Sequence, residues 1–381
     1  MDFDWTEEQL AFRESVVRFA QRELNDDLLA RDAEGGFAHE AWRKLAAFGI
    51  QGLPAPKEYG GSEADTLTQA LAMEALGYGC RDNGLLFSLN AHLWACQHPV
   101  IHFGTEEQKE RWLPGLVDGS VVAAHGMSEP GSGSDASSMR TTATPDGDHF
   151  VLNGSKIWCT NGPVADLFLV FATLDRARGF LGICAFLVER DTPGFEVGPP
   201  IHKMGLRTAP MSELFLDGCR VPAANLLGRR GAGMMVFNSS MDRERSLILA
   251  CTIGTMERNL ERTLEHARTR TQFGSPIGKF QAVSHRVVDM KLRLETARLL
   301  LYRLAWTMDR GRPVGLDAAL VKLHLSESFL QSSLDALQLH GGLGYTAEYE
   351  LERDVRDAVG SRLYSGTSEI QRNLAARHLG L

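Results

Sequence analysis

The feature that most constrains this chain is a change of hydrophobic period that happens twice. Residues 1 to about 119 carry helical spacing, with Leu10, Phe12, Val16, Val17 and Phe19 recurring on one face. Between about 120 and 228 the apolar residues gather into short runs, DLFLVFAT, GICAFLVER and SELFLDG, punctuated by Asp, Gly and Pro. That is the spacing of strands. From about residue 231 the helical period returns and holds to the end. A chain of 381 residues exceeds the usual single core. The pattern therefore predicts an α+β protein with an N-terminal helical domain (1–119), a middle β-barrel-like domain (120–228) and a C-terminal four-helix bundle domain (229–381).

Local signals refine this. Thr6 before Gln9, and Thr105 before Gln108, have capping-box spacing. A helix is expected near 37–49, after which Pro54, Pro56 and Gly60–Gly61 break the pattern. Four C-terminal helices are expected over 231–267, 280–308, 316–340 and 366–379. No GxGxxG joins a strand to a helix, and SEPGSGSD lacks the Lys–Ser/Thr ending of a P-loop. A nucleotide-bearing cofactor would have to be held across domains instead.

The balance of 40 basic against 48 acidic side chains, a net −8, disfavours a general nucleic-acid binder. Six widely spaced cysteines form no CxxC pair and read as reduced structural thiols. The start, MDFDWTEEQLAF, lacks the basic segment and apolar run of a secretory signal. No apolar stretch reaches the roughly 18 residues of a membrane span. A cytoplasmic protein without membrane insertion is expected, and no metal site is anticipated.

Five separated segments, MSEPGSGSD (127–135), NGSKIWCTNG (153–162), RTQFGSPIGKFQAV (270–283), QLHGGLGY (338–345) and SGTSEIQR (365–372), together resemble the acyl-CoA dehydrogenase family over essentially the whole chain. The resemblance implies bound FAD and usually a homotetramer, sometimes a homodimer. It places Met127, Ser128, Trp158 and Thr160 around the isoalloxazine ring, where Trp158 offers a broad aromatic surface. Glycine in the 130–134 turn lets backbone groups approach a ligand. Arg270, Gln272, Phe273 and Gln281 match a segment that reaches FAD across a subunit boundary. Gln338, Gly341 and Gly342 match a later segment near the flavin pyrophosphate, and Thr367 and Ser368 the terminal flavin-contacting turn. Taken singly, Trp158 reads as a strand-core residue and the hydroxyls as local caps.

The terminal YSGTSEIQR departs from the family informatively. Many straight-chain acyl-CoA dehydrogenases resemble YEGT here, with the Glu removing the α-proton, whereas this chain has Ser365. An unactivated serine is a poor base. Glu244 in MDRERSLILA resembles the catalytic Glu of the isovaleryl-CoA and long-chain branches, which reaches the same substrate carbon from another backbone position. By resemblance, Glu244 takes the α-hydrogen as the β-hydrogen leaves as hydride to FAD, and Ser365 contributes only its backbone N–H to the developing enolate oxygen. A salt bridge of Glu244 with Arg243 or Arg245 is the bland alternative.

Asp242, Arg245 and Ser134 match substrate-facing positions near pantetheine in the family. Phosphopantetheine is common to CoA and carrier proteins, so acyl-CoA and acyl- or aminoacyl-carrier substrates both stay open. The Glu244 placement also resembles the prolyl-carrier-protein dehydrogenases. Electron-transfer flavoprotein is the candidate acceptor. A related flavin oxidase or monooxygenase, and an inactive thioester-binding or assembly protein, are the competing readings.

Overall fold

The computed structural model describes residues 4–381; residues 1–3 of the acidic start lie outside the described residues. The N-terminal third is helical: α1 (Glu7–Glu23), α2 (Leu28–Glu34), α3 (His39–Phe48), α4 (Thr66–Gly79), α5 (Asn83–Asn90), α6 (His98–Phe103) and α7 (Glu106–Asp118). Both expected capping boxes form. Thr6 accepts from the Gln9 N–H at 3.2 Å and Thr105 from the Gln108 N–H at 3.3 Å, with each Gln side chain reaching back. Such a cap contributes about 1 kcal/mol. A π-helical stretch, Ala91–Gln97, joins α5 to α6 and carries the fully buried Trp94.

Strands β1 (Ala123–Gly126), β2 (Thr142–Asp146), β3 (His149–Thr160), β4 (Leu167–Thr173), β5 (Ile183–Glu189), β6 (Phe195–Val197), β7 (Met211–Pro222) and β8 (Leu226–Leu227) follow. Their order is β6-β7-β3-β2-β4-β5-β8, with β1 added parallel to β4. The barrel-like expectation is corrected here, because the path ends at β6 and β8 and the sheet does not close. The β2–β4 link is a single pair, Thr142 with Thr173. β4 and β5 are buried along almost their whole length, as expected of apolar runs without alternation.

The C-terminal part contains α8 (Gly233–Leu247), α9 (Ala250–Thr269), a small hairpin of β9 (Thr271–Gln272) and β10 (Ser275–Pro276), then α10 (Gln281–Met308), α11 (Gly315–His340), α12 (Leu351–Ser361) and α13 (Ser368–His378). The segment expected as one helix over 231–267 is two, parted where Leu249 leaves helical geometry (φ −98°, ψ 3°). Helix α12 was not anticipated. Its glycine-rich approach and short length hid a strongly amphipathic turn pattern. α9, α10 and α11 pack on one another, α11 receives α8, α12 and α13, and α4 lies across α9. Gly77 and Gly254 permit that last crossing: a β-carbon on Gly77 would lie 1.7 Å from the Cys251 carbonyl oxygen. All six cysteines are free and buried. Among the described residues no helix is long and apolar enough to cross a membrane.

Candidate active site

Two segments far apart in sequence meet at one hydrogen bond. Glu244 lies in the last turn of α8 and is 8% exposed. The Ser365 hydroxyl donates to its Oε1 from the turn between α12 and α13. Burial raises the Glu244 pKa, while the Ser365 hydroxyl, the Arg245 guanidinium and the Lys322 ammonium oppose that rise. The bland alternative of a local ion pair does not form: Arg245 pairs with Asp242 at 3.6 Å, and Arg243 donates to Thr66 and Gln69. Adjacent helical side chains diverge, which explains why neither neighbouring arginine forms an ion pair with the carboxylate, although Arg245 still acts on it through space.

The turn carrying Ser365 is held by its carbonyls. Lys322, fully buried on α11, donates to the Ser361 and Gly366 carbonyls at 2.9 and 2.8 Å. Gln371 donates to the Ser365 and Gly366 carbonyls at 3.1 and 2.8 Å. With those acceptors used inwardly, the N–H groups of Ser365, Gly366 and Thr367 donate to nothing among the described residues. Ser365 sits at φ +54°, a left-handed conformation that costs a non-glycine residue about 1–3 kcal/mol. The Lys322 pKa is depressed to about 8, chiefly by burial. Thus the Ser365 N–H has no partner among the described residues, while its hydroxyl, for which the sequence suggests no role, meets Glu244.

The second group of expected residues gathers at the end of β3. Ile157 N–H donates to the Ser128 carbonyl at 2.9 Å, which sets Met127–Ser128 beside Trp158–Thr160. A register shift between Lys156 and Cys159 puts Trp158 at φ +61° and turns its ring outward, 58% exposed. The buried Lys156–Glu129 pair (2.9 Å) anchors this corner. Glu129 also accepts from the Arg140 and Thr141 N–H groups at 2.6 and 2.8 Å. Burial alone would raise the Glu129 pKa, but Lys156 and these donors hold it below its usual range. Asn161, buried at φ +67°, ties the corner to α5 and β1 through the Ser88 and Ala123 carbonyls (3.0 and 3.2 Å). Lys156, Glu129, Asn161, Lys322 and Gln371 were all missed as site residues. Helical or strand spacing would have shown the two lysines to face inward.

The other expected cofactor residues form a separate cluster. His266, one turn before Arg270, stacks on His340, which precedes Gly341 (ring centroids 4.3 Å). This brings Arg270, Gln272, Phe273 and Gln281 together with Gln338, Gly341 and Gly342, all of them exposed. Phe273 is 95% exposed at the hairpin tip, at φ +50°, and Arg270 forms no ion pair among the described residues. Thr367 caps α13, and the Ser368 hydroxyl is committed to Glu327 at 2.7 Å. Among the substrate-facing candidates, Ser134 is exposed, burial raises the Asp242 pKa, and the Arg245 Nε is buried without a partner.

These residues suit a flavin dinucleotide. A flat aromatic surface is held out at Trp158 by a backbone conformation that an isolated strand would avoid. β-Carbons on Gly131, Gly133, Gly341 and Gly342 would meet no protein atom within 4 Å, so the space beside each is open to a ligand. The unpaired Arg270 offers the charge that a pyrophosphate requires.

Comparison with known proteins gives the same picture. The N-terminal, middle and C-terminal domain models of acyl-CoA dehydrogenase match residues 6–120, 124–219 and 231–380. A relative from Serratia sp., named L-prolyl-(peptidyl-carrier protein) dehydrogenase, is 44% identical over 381 residues, covering 100% of this chain and 99% of that protein. A crystal structure titled as the prolyl acyl carrier protein oxidase AnaB superposes with a TM-score of 0.98 at 50% identity, covering 99% of this chain and 100% of the other. A structure titled PigA with FAD and proline gives 0.98 at 44% identity, with both chains fully covered.

Proposed function

The chain belongs to the acyl-CoA dehydrogenase family, and from that premise we propose that it oxidises a carrier-protein-bound aminoacyl thioester of the prolyl type, with Glu244 as the base. It is an FAD-dependent oxidoreductase that dehydrogenates an acyl thioester between its α and β carbons. The choice of a prolyl-carrier substrate over acyl-CoA is supported by the names of the relatives at 44% and 50% identity.

The observation that carries the mechanism is the Ser365–Glu244 hydrogen bond beside a turn whose N–H groups are unused. Glu244 accepts the α-proton on its carboxylate, and its elevated pKa favours that transfer while Ser365, Arg245 and Lys322 oppose the rise. The negative charge that develops on the thioester oxygen needs a preorganised donor, and the Ser365 N–H supplies one at the same turn. Arg245 and Ser134 hold the pantetheine arm. Bound FAD supplies the two-electron acceptor for the β-hydride. Met127, Ser128, Trp158, Thr160, Thr367 and Ser368 hold the flavin of their own subunit. The exposed cluster of Arg270, Gln272, Phe273, Gln281, Gln338, Gly341 and Gly342 serves the flavin of a neighbouring one. The working form is then an oligomer, a homotetramer by family pattern. The exposed Val288, Leu292 and Leu299 on α10 support such a contact.

Changing Glu244 to Gln tests the assignment. The variant should keep the FAD spectrum and lose flavin bleaching by prolyl-loaded carrier protein by roughly 10²–10⁴-fold, the usual contribution of a general base. Near-normal anaerobic bleaching by FAD-replete variant would reject Glu244. The AnaB structure is titled an oxidase, which favours oxygen as a second reading for the electron acceptor. Reoxidation of the reduced enzyme by air against electron-transfer flavoprotein separates the two.

A further inference from the structure

On an otherwise acidic chain, one surface collects unpaired positive charge around two exposed apolar side chains. The loop Arg176–Gly182 follows β4, and Gly179 (φ 53°, ψ −130°) bends it into a conformation open only to glycine. Beyond the bend Phe180 and Leu181 stand 59% and 51% exposed. Arg176 and Arg178 flank them on this loop. Arg229 and Arg230 come alongside from the turn that enters α8, because Gly231 lies so close to Leu181 that a β-carbon there would be 2.5 Å from its carbonyl oxygen. The Gly231 N–H also donates to the Cys184 sulfur at 3.1 Å, fixing the turn against β5. None of the four arginines forms an ion pair among the described residues. Asp175, at the start of the loop, accepts from the Ala177 N–H at 2.9 Å and pairs with none of the four arginines. The chain as a whole carries a net −8, so this island of charge is not a reflection of composition.

Its position relates it to the site. The Arg176 guanidinium donates to the Arg140 carbonyl at 2.6 Å, and the loop touches the turn Ala136–Ser138 that closes the glycine-rich segment carrying Ser134. The same surface continues onto α8 at the exposed Met235. Met235 precedes Glu244 on that helix by 244 − 235 = 9 residues, about 14 Å at 1.5 Å per residue. A pantetheine arm spans a distance of that order.

We propose that Arg176, Arg178, Arg229 and Arg230, with Phe180 and Leu181 at their centre, form the docking face for an acidic carrier protein bearing the substrate on phosphopantetheine. This rests on the thioester-dehydrogenase reading above. Charged rims steer association and apolar centres anchor it. A CoA nucleotide would use the arginines but leave the projecting Phe180–Leu181 pair uncovered.

The test compares three thioesters, prolyl-loaded peptidyl carrier protein, prolyl-pantetheine and prolyl-CoA, on FAD-replete wild type and on R176E/R178E and F180S/L181S variants. R176E/R178E should raise KM for the carrier substrate on the order of tenfold, the lower end of what electrostatic steering supplies, and F180S/L181S should raise it through loss of the apolar anchor. Turnover of prolyl-pantetheine should stay within about twofold, which reports the chemistry independently of docking. Binding of unloaded carrier to wild type, followed by calorimetry, should weaken with added salt. An unchanged carrier KM in both variants overturns the proposal, as does a loss confined to prolyl-CoA, which would make the surface a nucleotide site. If wild type turns over none of the three thioesters while still binding the carrier, the dehydrogenase reading fails and the docking face stands.

Discussion

Replacing Ser365 with alanine isolates the hydroxyl from the backbone of the same residue. The hydroxyl donates to the Glu244 carboxylate, so it stabilises the charged form of a group that burial pushes the other way. A hydrogen bond to a charged partner contributes about 1.5–3 kcal/mol. Its loss should therefore raise the Glu244 pKa further. A base must be deprotonated to act, so the acidic limb of the kcat/KM profile moves to higher pH and kcat/KM on that limb falls about tenfold or more, while the plateau above it changes little. Stopped-flow bleaching by prolyl-loaded carrier protein from pH 5 to 10 reads both. Alanine keeps the left-handed backbone cost of Ser365, whereas glycine removes it. Equal limb shifts in Ser365→Ala and Ser365→Gly therefore assign the effect to the hydroxyl. An acidic limb that stays in place, or moves to lower pH, refutes the reasoning.

Two stability measurements probe the scaffold around the site. Asp357 is buried, accepts from Leu206 N–H and from Asn83, and has its pKa pushed up to about 7 from 3.8, first by burial. Between those values the folded state holds a proton that the unfolded state releases, so stability falls as pH rises through that window. Asp357→Asn should flatten the fall in Tm between about pH 4 and 7, and an unchanged slope would exclude Asp357 as its source. Lys156→Met leaves Glu129 charged and buried, a loss of about 3–5 kcal/mol. Denaturant unfolding should show that loss, and restoring balance with Glu129→Gln should recover part of it. FAD affinity should follow the same order if this pair shapes the flavin corner.

Much of the fold was legible because its signals are local. Both capping boxes need only residues three apart, and the runs in β4 and β5 needed no partner to be recognised as strands. The break at Leu249 was not legible, because SLILACTIG continues a helical apolar pattern straight through it. Nor did any local feature distinguish a closed sheet from an open one: closure depends on whether β6 and β8 meet, and both are too short to announce a partner. At the candidate site, Glu244 and Ser365 were singled out by motif, but their contact joins positions 121 residues apart and no local signal announces it. Lys322 carried a usable signal. Ala318, Leu325 and Phe329 share its helical face, so a charge there had to be buried and paired.

The proposed base, Glu244, has a physical requirement that Ser365 helps to meet. A carboxylate on α8 is surrounded by protein, and burial disfavours its charged form. Three groups counter this: a hydroxyl in contact, Arg245 on the same helix and Lys322 on α11. Lys322 also holds the Ser365 turn through two carbonyls, so one buried cation both opposes the rise in the Glu244 pKa and fixes the turn whose N–H groups are unused. Its own depressed pKa follows from serving in a dry place. In the proposed mechanism, proton acceptance and enolate stabilisation are thus coupled through one turn. A glutamate placed at position 365 would set two carboxylates against each other there, each raising the pKa of the other.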